Sequence, residues 1–166
     1  MYKKILVPLD GSKLSECSLD ELKTIALGCH VPEVVLLAVI EGEETGIPFI
    51  AGAASGMALP SDAAEIKSER QAFLKILDQA VAAAGEYLKR VSDILSKEGL
   101  SVTTKVLRGK PAESILDYAN KNGIDLVIMS THGHGAAPWD VGKVADRIIR
   151  YSNIPVVVAS PPGCRV

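Results

Sequence analysis

Val34-Val35-Leu36-Leu37-Ala38-Val39-Ile40 is apolar at every position, with Pro32 just before it and Glu41-Gly42 just after. A half-exposed strand alternates polar and apolar residues, so an unbroken apolar run predicts a strand covered on both faces, as in a parallel sheet. Toward the N-terminus, Leu14, Leu19, Leu22, Ile25 and Ala26 recur at helical spacing, with Ser12 or Ser15 as N-cap and Gly28 as stop. Before them, Ile5-Leu6-Val7 is a short apolar run closed by Pro8 and the turn-forming Asp10-Gly11-Ser12, and it reads as another buried strand.

Toward the C-terminus, the segment from Glu41 to about Ser61 is rich in Gly, Ala and Pro and has no sustained period. A long loop is expected there, of a length more often functional or mobile than architectural. From Ala63 to Lys97 the apolar positions Ile66, Phe73, Leu77, Ala80, Val81, Ala84, Leu88, Val91 and Leu95 advance by three or four, predicting one long amphipathic helix. Gly99 ends it, and Ser101 to Leu107 alternates as a half-exposed strand does. Gly109-Lys110-Pro111 opens a helix carried by Ile115, Leu116 and Ala119 to Gly123, since Pro suits the first helical position. Asp125-Leu126-Val127-Ile128-Met129 is the next buried strand. A glycine-containing loop from Ser130 to Gly142 leads into a helix around Val144–Ser152, and Ile154 to Ala159 is the last strand. Strands alternating with helices, joined by right-handed crossovers, give a single doubly wound α/β domain with helices on both faces of a parallel sheet.

Composition narrows the function. The 166 residues carry 18 Lys and Arg against 20 Asp and Glu, a formal charge of -2, which supplies no field for a nucleic-acid backbone or an anionic membrane. No apolar run reaches membrane-spanning length, and Met1 to Pro8 meets a proline before an export signal develops, so a cytoplasmic protein is expected. Cys17, Cys29 and Cys164 are odd in number and widely spaced, the pattern of reduced thiols; Cys17 and Cys29 are expected to pack as small hydrophobes, and Cys164 to lie exposed in the tail.

Ligands of an open α/β sheet gather beyond the carboxyl ends of its strands, where strand order reverses. Pro8-Leu9-Asp10-Gly11-Ser12 and the Ser130–Lys143 segment both occupy such ends, and the second runs into a helix N-terminus suited to an anion. His132-Gly133-His134 lacks a Cys or carboxylate at ligand spacing, so no metal site is expected. Asp140 is read as a helix cap, and Trp139, the only tryptophan, as a packing residue. No G-x-S-x-G elbow, Walker A, H-E-x-x-H or G-x-G-x-x-G fingerprint is present, so no catalytic residue is assigned and an efficient enzyme is not indicated.

In ordered combination, several stretches resemble the universal stress protein family nearly end to end: Lys3 to Ser12, Val35 to Ile40, Gly109 to Ile115, Asp125 to Gly133, Gly142 to Ile148 and Pro155 to Val158. The resemblance implies a five-stranded sheet of order 3-2-1-4-5 and a homodimer paired through the last strand, Pro155–Ala159. It also implies an adenine nucleotide, ATP with Mg²⁺, bound as a sensor or regulatory module of the stress response. Asp10 would meet the ribose or adenine, Val39 the adenine through its backbone, and Met129 and Gly109 the pocket wall. Gly133, Gly142, Lys143 and Val144 would contact phosphate, with Pro8, Leu9, Ser130 and His132 completing the cofactor-binding set.

The chain departs from the family's glycine pattern, G-x-x-G, nine residues, then G followed by Ser or Thr. Ser130 stands at the first glycine, eight residues separate Gly133 from Gly142, and Lys143 replaces the hydroxyl residue. Lys143 either places a charge on phosphate or fills the phosphate space with its stem. Each residue also has a plain alternative: an Asx-turn for Asp10, core packing for Val39 and Met129, a strand-to-helix turn for Gly109. A second reading is a nucleotide-free dimeric interaction protein whose specificity lies in the Gly42–Pro60 loop, and a third is a slow ATPase or autophosphorylating protein.

Overall fold

A computed structural model of the chain describes residues 1–42, 63–131 and 142–159. The long loop expected after Ile40 lies almost wholly outside the described residues, as do His132, Gly133, Trp139, Asp140 and Cys164. In chain order the elements are β1 (Lys4–Pro8), α1 (Lys13–Glu16), α2 (Ser18–Gly28), β2 (Glu33–Ile40), α3 (Ala63–Lys97), β3 (Val102–Arg108), α4 (Pro111–Lys121), β4 (Leu126–Ser130), α5 (Lys143–Tyr151) and β5 (Val156–Ala159). The sheet is parallel, in the order β3-β2-β1-β4-β5.

Strand pleating sends alternate residues to opposite faces, and the core divides accordingly. Ile5, Val7, Val34, Leu36 and Ile128 pack beneath α2 and α3, meeting Leu22, Ala26, Leu88, Val91 and Leu95. On the other face Leu6, Val35, Leu37, Val127 and Met129 pack beneath α4 and α5, meeting Ala112, Ile115, Ala145 and Ile148. This double cover explains why β2 reads as a continuous apolar run: its residues from Val34 to Ala38 are all buried. Each such Val or Leu removed from water contributes about 1.5–3 kcal/mol before chain entropy is set against it. The fold is the single doubly wound domain expected from the sequence, with the strand order that the family resemblance implies.

Three local departures have physical causes. The helix expected as one piece over Leu14 to Ala26 is broken at Cys17, whose N–H bonds back three residues to Leu14 O at 3.3 Å. Ser15 Oγ donates to Ser12 O at 2.8 Å and Ser18 Oγ to Ser15 O at 2.7 Å, side-chain bonds that compete with the helical ladder at that point. The last strand starts at Val156 and not Ile154, because Ser152 Oγ accepts from Ile154 N at 3.1 Å and donates to Ile154 O at 2.7 Å. Gly142 rather than Asp140 holds the N-cap position of α5.

Candidate functional site

The neighbours β1 and β4 are joined at one end and part at the other. At the amino end the Asp125 carboxylate accepts from Lys3 N at 2.6 Å and from Lys4 N at 3.1 Å, while Asp125 N donates to Lys4 O at 3.1 Å. Register then runs through Ile5 with Leu126 and Leu6 with Val127, and there the pairing stops. Beyond it, β1 stays with β2: Pro8 is in register with Leu37, and Leu9 N donates to Leu37 O at 2.8 Å. The partner strand β4 stays with β5, Ser130 standing opposite Ala159 and Thr131 N donating to Ala159 O at 3.1 Å. The carboxyl ends of two adjacent strands therefore diverge at the point where strand order reverses, the geometry that forms a ligand crevice in α/β sheets.

One wall of this opening is the loop after β1. Leu9 is buried and Asp10 exposed. Asp10 Oδ1 accepts from Ser12 N at 2.9 Å and from Ser12 Oγ at 2.6 Å, which is an Asx-turn, and Gly11 supplies the left-handed φ of +81° that closes it. Ser12 Oγ in turn caps α1 by accepting from Ser15 N at 3.1 Å. The turn fixes where the carboxylate sits.

The facing wall is the start of α5. Gly142 N donates to Thr131 O at 2.9 Å, so this N–H is engaged in seating the helix against the end of β4. Lys143, Val144 and Ala145 carry the first-turn N–H groups, which a helix cannot pair internally and which point along its axis past the N-terminus. Lys143 itself is exposed, in the first turn of a helix whose dipole disfavours a cation there by about 0.3–1 kcal/mol.

The remaining residues border the same edge. Val39 lies one residue before the end of β2, half-buried. Gly109 follows β3 and donates its N–H to Ile40 O at 3.0 Å. Its φ of +140° suits only glycine, and a Cβ there would stand 2.8 Å from Ser114 Oγ. Met129 and Ser130, both 6% exposed, end β4. Thus Pro8, Leu9, Asp10, Val39, Gly109, Met129, Ser130, Gly142, Lys143 and Val144 all gather at the carboxyl edge of the sheet. Charge around them is mixed, with Arg108 paired to Asp78 and Arg147 to Glu113 at 3.2 Å. Among the described residues no cluster of three His, Cys, Asp or Glu is placed to hold a metal ion.

Two features of this edge went unread in the sequence. Ser15 Oγ accepts from Asp10 N at 3.4 Å, and Tyr87 of α3 donates its hydroxyl to Glu16 Oε1 at 3.0 Å, 71 residues away. Burial, and then the Glu16 carboxylate, push the Tyr87 phenol well above its ordinary range, so it remains a protonated donor. The first bond had a sequence signal in the Asp10-x-Ser12-x-x-Ser15 spacing; the second, between distant segments, had none.

A family model, the universal stress protein family, matches residues 1–160. The chain belongs to that family. Among its relatives are two universal stress proteins of Methanocaldococcus jannaschii. MJ0531 is 32% identical over 164 residues, covering 98% of this chain and 84% of that protein. MJ0577 is 31% identical over 159 residues, covering 95% and 94%. A solved MJ0577 structure superposes with a TM-score of 0.75 at 28% identity, over 97% of each chain. A universal stress protein crystallised in complex with cAMP shares the fold, with a TM-score of 0.64 at 15% identity, over 96% of this chain and 97% of that one.

Proposed function

We propose that this universal stress protein binds an adenine nucleotide, ATP with Mg²⁺, in the opening between β1 and β4 and acts as a cytoplasmic regulatory module. The observation that carries the reading is the divergence of these strands beyond Leu6 and Val127, with the Asp10 turn on one side and the α5 N-terminus on the other. Asp10 is suited to ribose hydroxyls, which it accepts as a carboxylate. The Lys143, Val144 and Ala145 amides are suited to phosphate oxygens. Mg²⁺ is taken to arrive on the phosphates, since this ion commonly keeps its waters and few protein ligands. His132 and Gly133 belong to the proposed phosphate loop by their place in the sequence. That a family member was crystallised with cAMP supports the adenine choice.

The same reading includes a homodimer through β5. This edge strand offers Val156, Val157 and Val158 half-exposed, whereas the opposite edge, β3, is blunted by exposed Thr103, Thr104 and Lys105. No helix among the described residues is long and apolar enough to cross a membrane.

Isothermal titration of nucleotide-stripped protein with Mg-ATP tests the proposal. Saturable binding near one per chain is expected. No binding up to about 1 mM, an affinity of only roughly -4 kcal/mol, would overturn it and leave the nucleotide-free interaction protein. Phosphate release above that of an Asp10→Ala blank would instead mark the slow ATPase.

A further inference from the structure

We propose that Tyr87 is a positioning residue for the nucleotide site, holding the Asp10 turn in place from α3 through Glu16. The inference rests on the nucleotide reading above and deepens it. Asp10 belongs to a tight knot: Ser12 N and Oγ donate to its Oδ1, Ser15 N donates to Ser12 Oγ, and Asp10 N donates to Ser15 Oγ. The knot continues into α1, which is only four residues long. A single helical turn fixes several dihedrals for one or two hydrogen bonds and does not hold itself together in water. It needs ties from outside.

Glu16, the last residue of α1, provides one. Its Oε1 accepts from the Tyr87 hydroxyl at 3.0 Å, a charge-assisted bond and so among the stronger kinds. The other end of that tie is rigid. The Tyr87 ring packs against the core beneath α3, next to Leu88, which is fully buried, and Val91 follows one turn on. Burial and the carboxylate together keep the phenol protonated, so the donor is not lost at any ordinary pH. Tyr87 thus links the longest helix of the fold to the wall of the opening that would receive the ribose, without itself touching ligand.

The test compares wild type, Tyr87→Phe, Glu16→Gln and Glu16→Ala. Tyr87→Phe keeps the ring and its core contacts and removes one oxygen; Glu16→Gln keeps an acceptor for the phenol. Titration with Mg-ATP is expected to show binding weakened about fivefold or more in Tyr87→Phe and Glu16→Ala, and largely retained in Glu16→Gln. In an Asp10→Ala background the Tyr87→Phe loss should vanish, because the two changes act through one unit. Amide hydrogen exchange without nucleotide should be faster at Ser12 and Ser15 in Tyr87→Phe than in wild type. Equal Mg-ATP binding by Tyr87→Phe and wild type would overturn the proposal, as would a loss that simply adds to that of Asp10→Ala. If wild type binds no Mg-ATP, the nucleotide reading falls and the binding role of Tyr87 with it. Unchanged exchange at Ser12 and Ser15 would then overturn the tie itself.

Discussion

The two ends of the β1–β4 pair are built from similar pieces and do opposite things. At the amino end a carboxylate, Asp125, reaches across the pair and ties down the backbone amides of Lys4, the first residue of β1, and of Lys3 just before it. At the carboxyl end a carboxylate, Asp10, turns back on its own loop and bonds Ser12, while each strand leans on its outer neighbour, Leu9 on Leu37 and Thr131 on Ala159. An aspartate that reaches across two strands closes the sheet at that end; one that folds its own turn does not join the strands. The contrast separates a structural end from a ligand end within one pair of strands.

The largest effect is expected at the closed end. Asp125→Ala removes the acceptor for two backbone amides, at about 1.5–3 kcal/mol for each bond to a charged group and less for the exposed Lys3 bond. Thermal unfolding should fall by about 5–10 °C, while Mg-ATP affinity stays within about twofold of wild type, because the opening lies at the other end of the strands. A loss of affinity comparable to the loss of stability would mean that the two ends are not independent.

At the open end the balance reverses. Asp10→Ala should weaken Mg-ATP binding about tenfold or more, roughly 1.4 kcal/mol, and lower stability by about 1 kcal/mol through loss of the Asx-turn. Asp10→Asn retains a side-chain carbonyl for Ser12 and so should keep the stability while still losing affinity. Full retention of binding in Asp10→Asn would assign this carboxylate to the turn alone.

The smallest effect sharpens the comparison at Lys143. Replacing it with Ala removes a cation from the first turn of α5, so the unliganded protein should gain about 0.3–1 kcal/mol in denaturant unfolding. Mg-ATP binding should weaken about threefold if the ammonium meets phosphate. Tighter binding in Lys143→Ala would show that the lysine stem occupies the space that phosphate needs.

What was legible in the sequence was local. The continuous apolar run of β2 announced its double burial, and Pro111 with the Ile115 and Ala119 spacing announced α4, because those signals lie within a turn or two of each other. The strand order was not readable from any residue; it came through resemblance, since parallel strands pair across long crossovers and nothing in Ile5 or Leu126 names the other. For the same reason Asp125 read only as the first residue of a strand, and its partners Lys3 and Lys4 lie more than a hundred residues away. The break between α1 and α2 was hidden by a helical spacing that continues straight through it, because Leu14, Leu22 and Ala26 report burial and not the serine bonds that interrupt the ladder. The candidate site was legible as a set of strand-end residues, and the Tyr87 tie to Glu16 was not, having no local sequence mark.

The most direct measurement is a nitrogen-15 amide NMR titration of the stripped protein with Mg-ATP, following both ends of the β1–β4 pair in one experiment. The account predicts saturable shifts at Asp10, Gly11, Lys143, Val144 and Ala145, with Lys3, Lys4 and Asp125 unmoved. Saturable shifts centred on Lys3, Lys4 and Asp125, or none at either end up to about 1 mM nucleotide, would contradict it.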